Sequence, residues 1–178
     1  IAPKISNLIY MQAKAEQLPI RSGTVDMITI GQALHWFSLN EFYSEVNRIL
    51  KPNGVIAAWC YNQCIINSAV DALIEKIYSL VRSPENLTIQ RQYLYDHYQT
   101  IPFPFNRIAT PIFEIAVEWN LKELYGYIAT WPGLLEYEKK TNAKVLFQLE
   151  EEFISAWGDI NTKKTIKWPI NLLVGTVN

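Results

Sequence analysis

Residues 22–61 constrain the fold more than any other stretch of this chain, because they mark both ends of a strand, a helix and a second strand. Residues 25–30 form a short apolar run with β-branched side chains, entered from the turn pair Ser22-Gly23. Ser38 and Glu41 have the S-x-x-E spacing of a capping box, and Phe37 and Phe42 have the spacing of a hydrophobic staple. Phe42, Val46, Ile49 and Leu50 then fall on one helical face. Pro52-Asn53-Gly54 predicts a tight turn that stops the helix before a second apolar strand over 55–59. Two strands joined this tightly through a helix lie parallel, with a right-handed crossover. The chain is therefore expected to be an α/β protein.

The remaining segments read less evenly. Residues 7–11 predict a strand, and residues 13–23 a loop. Ser68 with Asp71 signals a helix that carries Val70, Leu73, Ile74, Ile77 and Val81 on one face, broken at Ser83-Pro84-Glu85-Asn86. Residues 84–111 admit two readings. Their aromatic side chains either pack down as part of a surface segment or belong to a lid over a substrate pocket. The run Pro102-Phe103-Pro104-Phe105 excludes regular helix there. Residues 112–118 predict a strand with Phe113, Ile115 and Val117 on one face. Asn120 with Glu123 predicts a capped helix over 121–130, and a further helical stretch falls within 133–139. Leu146, Leu149, Phe153 and Trp157 mark a helix over 142–157, stopped at Gly158. Residues 167–174 predict the last strand, where Pro169 calls for an edge or a bulge because it cannot donate a ladder hydrogen bond.

Several motifs act together. Ala15-Glu16 with Leu18-Pro19, Val25-Asp26, Ala33-Leu34-His35-Trp36-Phe37 and Leu50-Lys51-Pro52-Asn53-Gly54 resemble class I S-adenosylmethionine-dependent methyltransferases. The His-Trp-Phe variant is similar to the small-molecule branch that includes the trans-aconitate methyltransferases. The resemblance covers most of the chain and is strongest over residues 7–61. Asn53 stands where the family usually has glycine. The resemblance implies the C-terminal part of a doubly wound, mostly parallel, Rossmann-like sheet with an antiparallel C-terminal strand. It also implies S-adenosylmethionine as cofactor and a small-molecule methyl acceptor, with a carboxylate among the candidates.

Open α/β sheets bind ligands in the loops beyond their strand ends. By the resemblance, Ala15 and Glu16 meet the adenine side of the cofactor, and Gly31, Gln32, Ala33 and Trp36 line the methionine side. Glu16 has the alternative of a solvated loop carboxylate. His35 is the catalytic candidate, orienting the acceptor or acting as a base; a structural histidine bonded to backbone is the alternative. Trp59 and Tyr61 leave the second strand at the same edge. They suit a cationic sulfonium or a substrate wall, with core packing as the alternative. By the resemblance, Trp131, Tyr127 and Tyr137 fall where the family places part of its acceptor pocket.

Composition excludes several classes. A formal net charge of −1 argues against a nucleic-acid partner held by a broad basic surface. No apolar run approaches the ~20 residues of a membrane-spanning helix, and no signal-peptide pattern opens the sequence. Cys60 and Cys64 are too few for a disulfide framework, and no second pair completes a tetrahedral metal site. The expectation is one methyltransferase-like domain over residues 1–178, without metal, membrane or nucleic acid, in a cytoplasmic setting.

The seven glycines are scattered and none forms G-x-G. The family's glycine-rich turn after its first strand, and the acidic residue ending its second, therefore have no counterpart in these residues. In the family the sheet runs third, second, first, fourth, fifth, seventh, sixth strand. Residues 7–11 would be the third strand and 25–30 the fourth, with the first two missing between them. This implies poor cofactor binding by these 178 residues alone, a 7–11 segment that either pairs abnormally or gains a neighbour from another chain, and self-association through an exposed sheet edge. Two function classes stay open. One is an enzyme that transfers a methyl group mainly by positioning its reactants; the other is a truncated, non-catalytic methyltransferase-like module that acts by partner binding. A nicotinamide-dependent dehydrogenase shares the fold class but lacks any fingerprint.

Overall fold

A computed structural model describes residues 5–82 and 88–178. The expected break at Ser83-Pro84-Glu85-Asn86, and with it the start of the 84–111 segment, lies outside the described residues. The chain divides into two compact units. The first comprises Ile1–Trp59, Thr100–Thr110 and Leu172–Asn178, and the second Cys60–Gln99 and Pro111–Asn171.

The first unit holds the strand–helix–strand stretch. β1 (Val25–Gly31) and β2 (Leu50–Cys60) pair in parallel, in register from Met27 opposite Val55 to Gly31 opposite Trp59. α1 (Leu39–Ile49) crosses between them and buries Phe42, Val46 and Ile49. The Phe37 and Phe42 rings lie 4.8 Å apart, so the staple forms as expected. The capping box does not. The Ser38 side chain makes no cap hydrogen bond, and its backbone N–H donates instead to Glu16 Oε1 at 2.9 Å. A carboxylate from a distant loop has taken over part of the task assigned to the local motif.

Pro52-Asn53-Gly54 lies within β2 rather than between two elements. Val25 faces Leu50 while Met27 already faces Val55, so the extra residues bulge out of the ladder. Asn53 adopts φ +62°, in the left-handed region. That backbone explains why glycine is common at this position and why asparagine is tolerated. β5 (Lys164–Thr176) and the two-residue β3 (Asn106–Arg107) pair antiparallel and complete the strand order β1-β2-β5-β3.

Residues 7–11 are not a strand. Leu8, Ile9, Tyr10 and Met11 are exposed, and no strand among the described residues runs beside them. Extended backbone without a ladder partner has no reason to persist as a strand.

Among its described residues, the second unit consists mainly of helices, with a pair of antiparallel strands. α2 (Ser68–Val81) and α7 (Glu150–Trp157) pack together and α5 (Pro132–Thr141) adds to α2. α3 (Ile89–Tyr95), α4 (Leu121–Ile128) and α6 (Val145–Gln148) complete the set. The cap of α2 is Asn67, whose side chain accepts the Ala69 and Val70 N–H groups, rather than Ser68. Asp71 Oδ1 instead accepts the Ile66 N–H at 2.8 Å. The expected Asn120–Glu123 capping box on α4 is complete in both directions. The helix expected over 142–157 is interrupted: Asn142 is left-handed at φ +56°, and α6 and α7 meet at Leu149. β4 (Phe113–Trp119) pairs antiparallel with β5, and Pro169 faces Glu114. Val70, Ile74, Ile77, Leu124, Ile128, Phe153 and Trp168 belong to the core of this unit.

β5 thus pairs with β2 in one unit and β4 in the other. That connectivity corresponds to the fourth, fifth, seventh and sixth strands of the family order, with an antiparallel final strand. The mixed α/β class is as the sequence implies.

Candidate functional site

The C-terminal end of β1 gathers most of the expected cofactor residues. At Gly31 the Trp59 indole lies against the backbone, and a Cβ there would sit 2.9 Å from its Cζ2. Only glycine lets the ring pack so closely, so Trp59 acts here as a packing residue as well as an edge aromatic. Gln32 turns the chain at φ +55° while its N–H donates to the Trp59 carbonyl at 2.9 Å. Ala33 opens a single 3-10 turn, Leu34–Trp36, in which the Trp36 N–H donates to the Ala33 carbonyl at 3.0 Å. Leu34 is fully buried and anchors the turn.

His35 and Trp36 part company in this turn. His35 is 3% exposed and Trp36 is 61% exposed, although their rings lie 4.8 Å apart. Burial pushes the His35 pKa below the usual imidazole value, which keeps the ring neutral. Such a ring suits holding the turn better than exchanging protons with solvent. The Trp36 indole is the surface the turn presents.

The Ala15-Glu16 loop joins the same neighbourhood through the Glu16–Ser38 hydrogen bond. Backbone donors, Ser38 first, hold the Glu16 carboxyl below its ordinary range. A pair that the sequence reading passed over anchors the rest of the loop. Glu45 and Arg48 form a bidentate ion pair, with Nε to Oε2 and Nη2 to Oε1 both at 2.7 Å. The Leu18 N–H donates to Glu45 Oε1 at 2.6 Å. The Arg48 fork donates to the Leu18 carbonyl at 3.1 Å and the Ile20 carbonyl at 2.8 Å. Together, the two side chains bind residues 18–20 to α1. The Arg48 hydrogen bonds, foremost, push the Glu45 pKa down to about 2. Their i, i+3 spacing was the available signal, but only the loop contacts distinguish this pair from an ordinary surface pair.

The remaining expected aromatics, Tyr61, Tyr127, Trp131 and Tyr137, lie in the second unit. All four are partly buried against its hydrophobic core. Trp131 stacks edge-on with Tyr78 at 4.8 Å and with Tyr127 at 5.8 Å. Tyr127 in turn accepts the Trp168 indole N–H at 3.2 Å. These contacts give the cluster a packing role.

Cys60 and Cys64 are free, buried thiols, each pushed up to about 12 by burial. They are thus poor nucleophiles and poor metal ligands. No group of three or more metal-ligating side chains occurs among the described residues. No helix among them is long and apolar enough to cross a membrane.

Known proteins share this architecture. A family profile described as "Methyltransferase domain" matches residues 2–58. A methyltransferase of Dictyostelium discoideum is 31% identical over 158 residues, which are 88% of this chain and 60% of the relative. An uncharacterized methyltransferase of Schizosaccharomyces pombe is 24% identical over 83% of this chain and 57% of its own length. The chain therefore spans less than two thirds of these curated relatives. The structure of a type II methyltransferase from Anaeromyxobacter dehalogenans superposes with a TM-score of 0.87 at 30% identity, over 98% of this chain and 74% of that one. With most of both chains matched at that identity, and with the sheet order described above, this chain belongs to the class I S-adenosylmethionine-dependent methyltransferases.

Proposed function

We propose that this protein transfers a methyl group from S-adenosylmethionine to a small-molecule acceptor. The observation that carries the reading is the turn at the end of β1, where small residues and an exposed indole are held on a rigid base. The residues present fit such a cofactor. Gly31 seats the Trp59 ring that backs the turn, Ala33 keeps the turn's backbone approachable, Trp36 offers an aromatic face to a cation, and the Ala15-Glu16 loop is fixed beside α1. The cofactor supplies an activated methyl group on sulfur. The chain's residues bind it, and the acceptor is brought into line for attack. His35 positions the turn with its neutral, buried ring. Trp59 lies under the same strand end, and Tyr61, Trp131 and Tyr137 are the aromatic candidates for the acceptor side. A carboxylate is one acceptor class within this reading, and a cytoplasmic setting, in keeping with two free thiols, is part of it.

These 178 residues contain no G-x-G turn. They are therefore expected to bind the cofactor much more weakly than protein of the length of the curated relatives. β1 pairs only with β2 among the described strands, and self-association through its other edge belongs to the same proposal.

The test is calorimetry with S-adenosylhomocysteine on full-length protein. Trp36→Ala is expected to weaken binding about tenfold or more while moving the thermal midpoint by no more than about 2 °C. His35→Ala is expected to lower the midpoint as well, because it empties a buried site. Unchanged affinity in folded Trp36→Ala protein would overturn the placement of the cofactor at this turn.

A further inference from the structure

In the second unit, residues near the start of α2 line a half-open pocket of about 310 Å³. That is at the small end of small-molecule pockets. Its lining includes Asn62, Gln63, Asp71, His97 and Asn171. None of these residues has a place in the site described above.

The hydrogen-bonding character of this lining can be assigned group by group. Asn62 is 7% exposed, and its Oδ1 lies 2.8 Å from the Tyr78 hydroxyl. Burial raises the Tyr78 pKa, so the phenol keeps its proton and donates it. The Asn62 oxygen is thereby occupied, and its NH2 group remains available as a donor. The Asn171 amide nitrogen lies 3.0 Å from His97 Nδ1. An amide nitrogen only donates, so Nδ1 accepts and the ring proton resides on Nε2, a second donor. His97 and Tyr98 are consecutive left-handed residues, at φ +55° and +61°. They are held by the bonds from His97 N–H to the Leu94 carbonyl and from Tyr98 N–H to the Tyr93 carbonyl, and Tyr98 is fully buried. Strain maintained in this way is typical of side chains fixed for a task.

Acceptors complete the lining. The Gln63 amide nitrogen donates to Glu75, which leaves the Gln63 carbonyl oxygen. Asp71 Oδ1 is committed to the Ile66 N–H, which leaves Oδ2. Asp71 is the sole full charge among the described residues that line the pocket, and no lysine or arginine among them offsets it. The geometry points to a neutral ligand that offers both a hydrogen-bond acceptor and a donor, of the carboxamide class. A carboxylate lacks the donor and meets the charge of Asp71. This inference concerns the second unit by itself and adds a ligand site to the proposed function without resting on it.

Benzamide and benzoate share a ring and differ in this one group, so they serve as probes in ligand-observed NMR and calorimetry on full-length protein. Wild-type protein is expected to bind benzamide about tenfold or more tightly than benzoate. Asp71→Asn keeps an acceptor for Ile66 and is expected to bring the two within about threefold of each other. His97→Asn, which tolerates the left-handed backbone, is expected to weaken benzamide binding while the thermal midpoint holds. Equal or tighter binding of benzoate by wild type, an unchanged ratio in folded Asp71→Asn protein, or no benzamide binding would overturn the inference. Binding of S-adenosylhomocysteine is scored separately. Protein that binds benzamide but not S-adenosylhomocysteine supports this site and contradicts the cofactor reading; the opposite result does the reverse.

Discussion

Arg48 shows how much a single side chain contributes to the candidate site. Its fork bonds to Glu45 and to two carbonyls of the loop that continues from Ala15-Glu16. A lysine keeps the charge but cannot make these planar, divergent bonds. Arg48→Lys is therefore expected to lower the thermal midpoint and to raise proteolytic cutting within residues 15–22. The same pair sets a pH dependence. Glu45 has its folded pKa pushed down to about 2, below that of the unfolded chain. Its stabilisation is then fully present above the ordinary carboxylate range and is lost as pH falls toward 2. Thermal midpoints measured from pH 6 down to pH 2.5 should fall less steeply in Glu45→Gln than in wild type. Equal slopes would show that this carboxylate is not the one titrating. His35 adds a loss of stability at a higher pH. Its folded pKa is lowered by burial, so its contribution is present above the usual imidazole value and declines as pH falls below it.

At the scale of elements, the sequence signals were read more accurately than the atoms that answer them. The helix over 39–49 begins where its staple predicts and ends one residue short of its expected face, with Leu50 opening β2, and Glu16 rather than Glu41 accepts the N–H of the cap residue Ser38. A local motif states that a helix starts; it does not state which acceptor reaches the free N–H groups first. Cap substitutions separate these cases. Asn67→Ala and Asn120→Ala should each cost about 1 kcal/mol, since both side chains accept backbone N–H groups. Ser38→Ala should cost well under that, because its side chain makes no cap bond. Denaturant unfolding of the three variants checks this order, and a Ser38→Ala cost equal to the other two would contradict it. Gly54→Ala should also destabilise, because the new Cβ would stand 2.8 Å from the Lys51 carbonyl oxygen. That constraint was hidden in the sequence, where Pro52-Asn53-Gly54 reads as a turn rather than as a bulge inside β2.

At the scale of the whole molecule, strand order was legible because the parallel unit and the last strand carry strong local patterns. The 7–11 segment differs from its expectation because the continuous apolar run Leu8-Ile9-Tyr10-Met11 resembles a strand, whereas strand formation depends on a neighbour. The candidate site was legible only in part. The residues at the end of β1 are chain neighbours held in one turn, but burial divides His35 from Trp36, and a single 3-10 turn is too short for any periodicity to mark which side chain points inward. The Glu45–Arg48 anchor and the Asn62–His97 pocket depend on contacts between distant segments, which a linear reading cannot supply. The central claim is that the turn following β1 holds the cofactor. Hydrogen–deuterium exchange of the full-length protein, with and without S-adenosylhomocysteine, tests it most directly. The account predicts slowed exchange in peptides covering residues 31–37 and 15–18, with smaller changes across α4 and α7. Binding that protects neither peptide would contradict it.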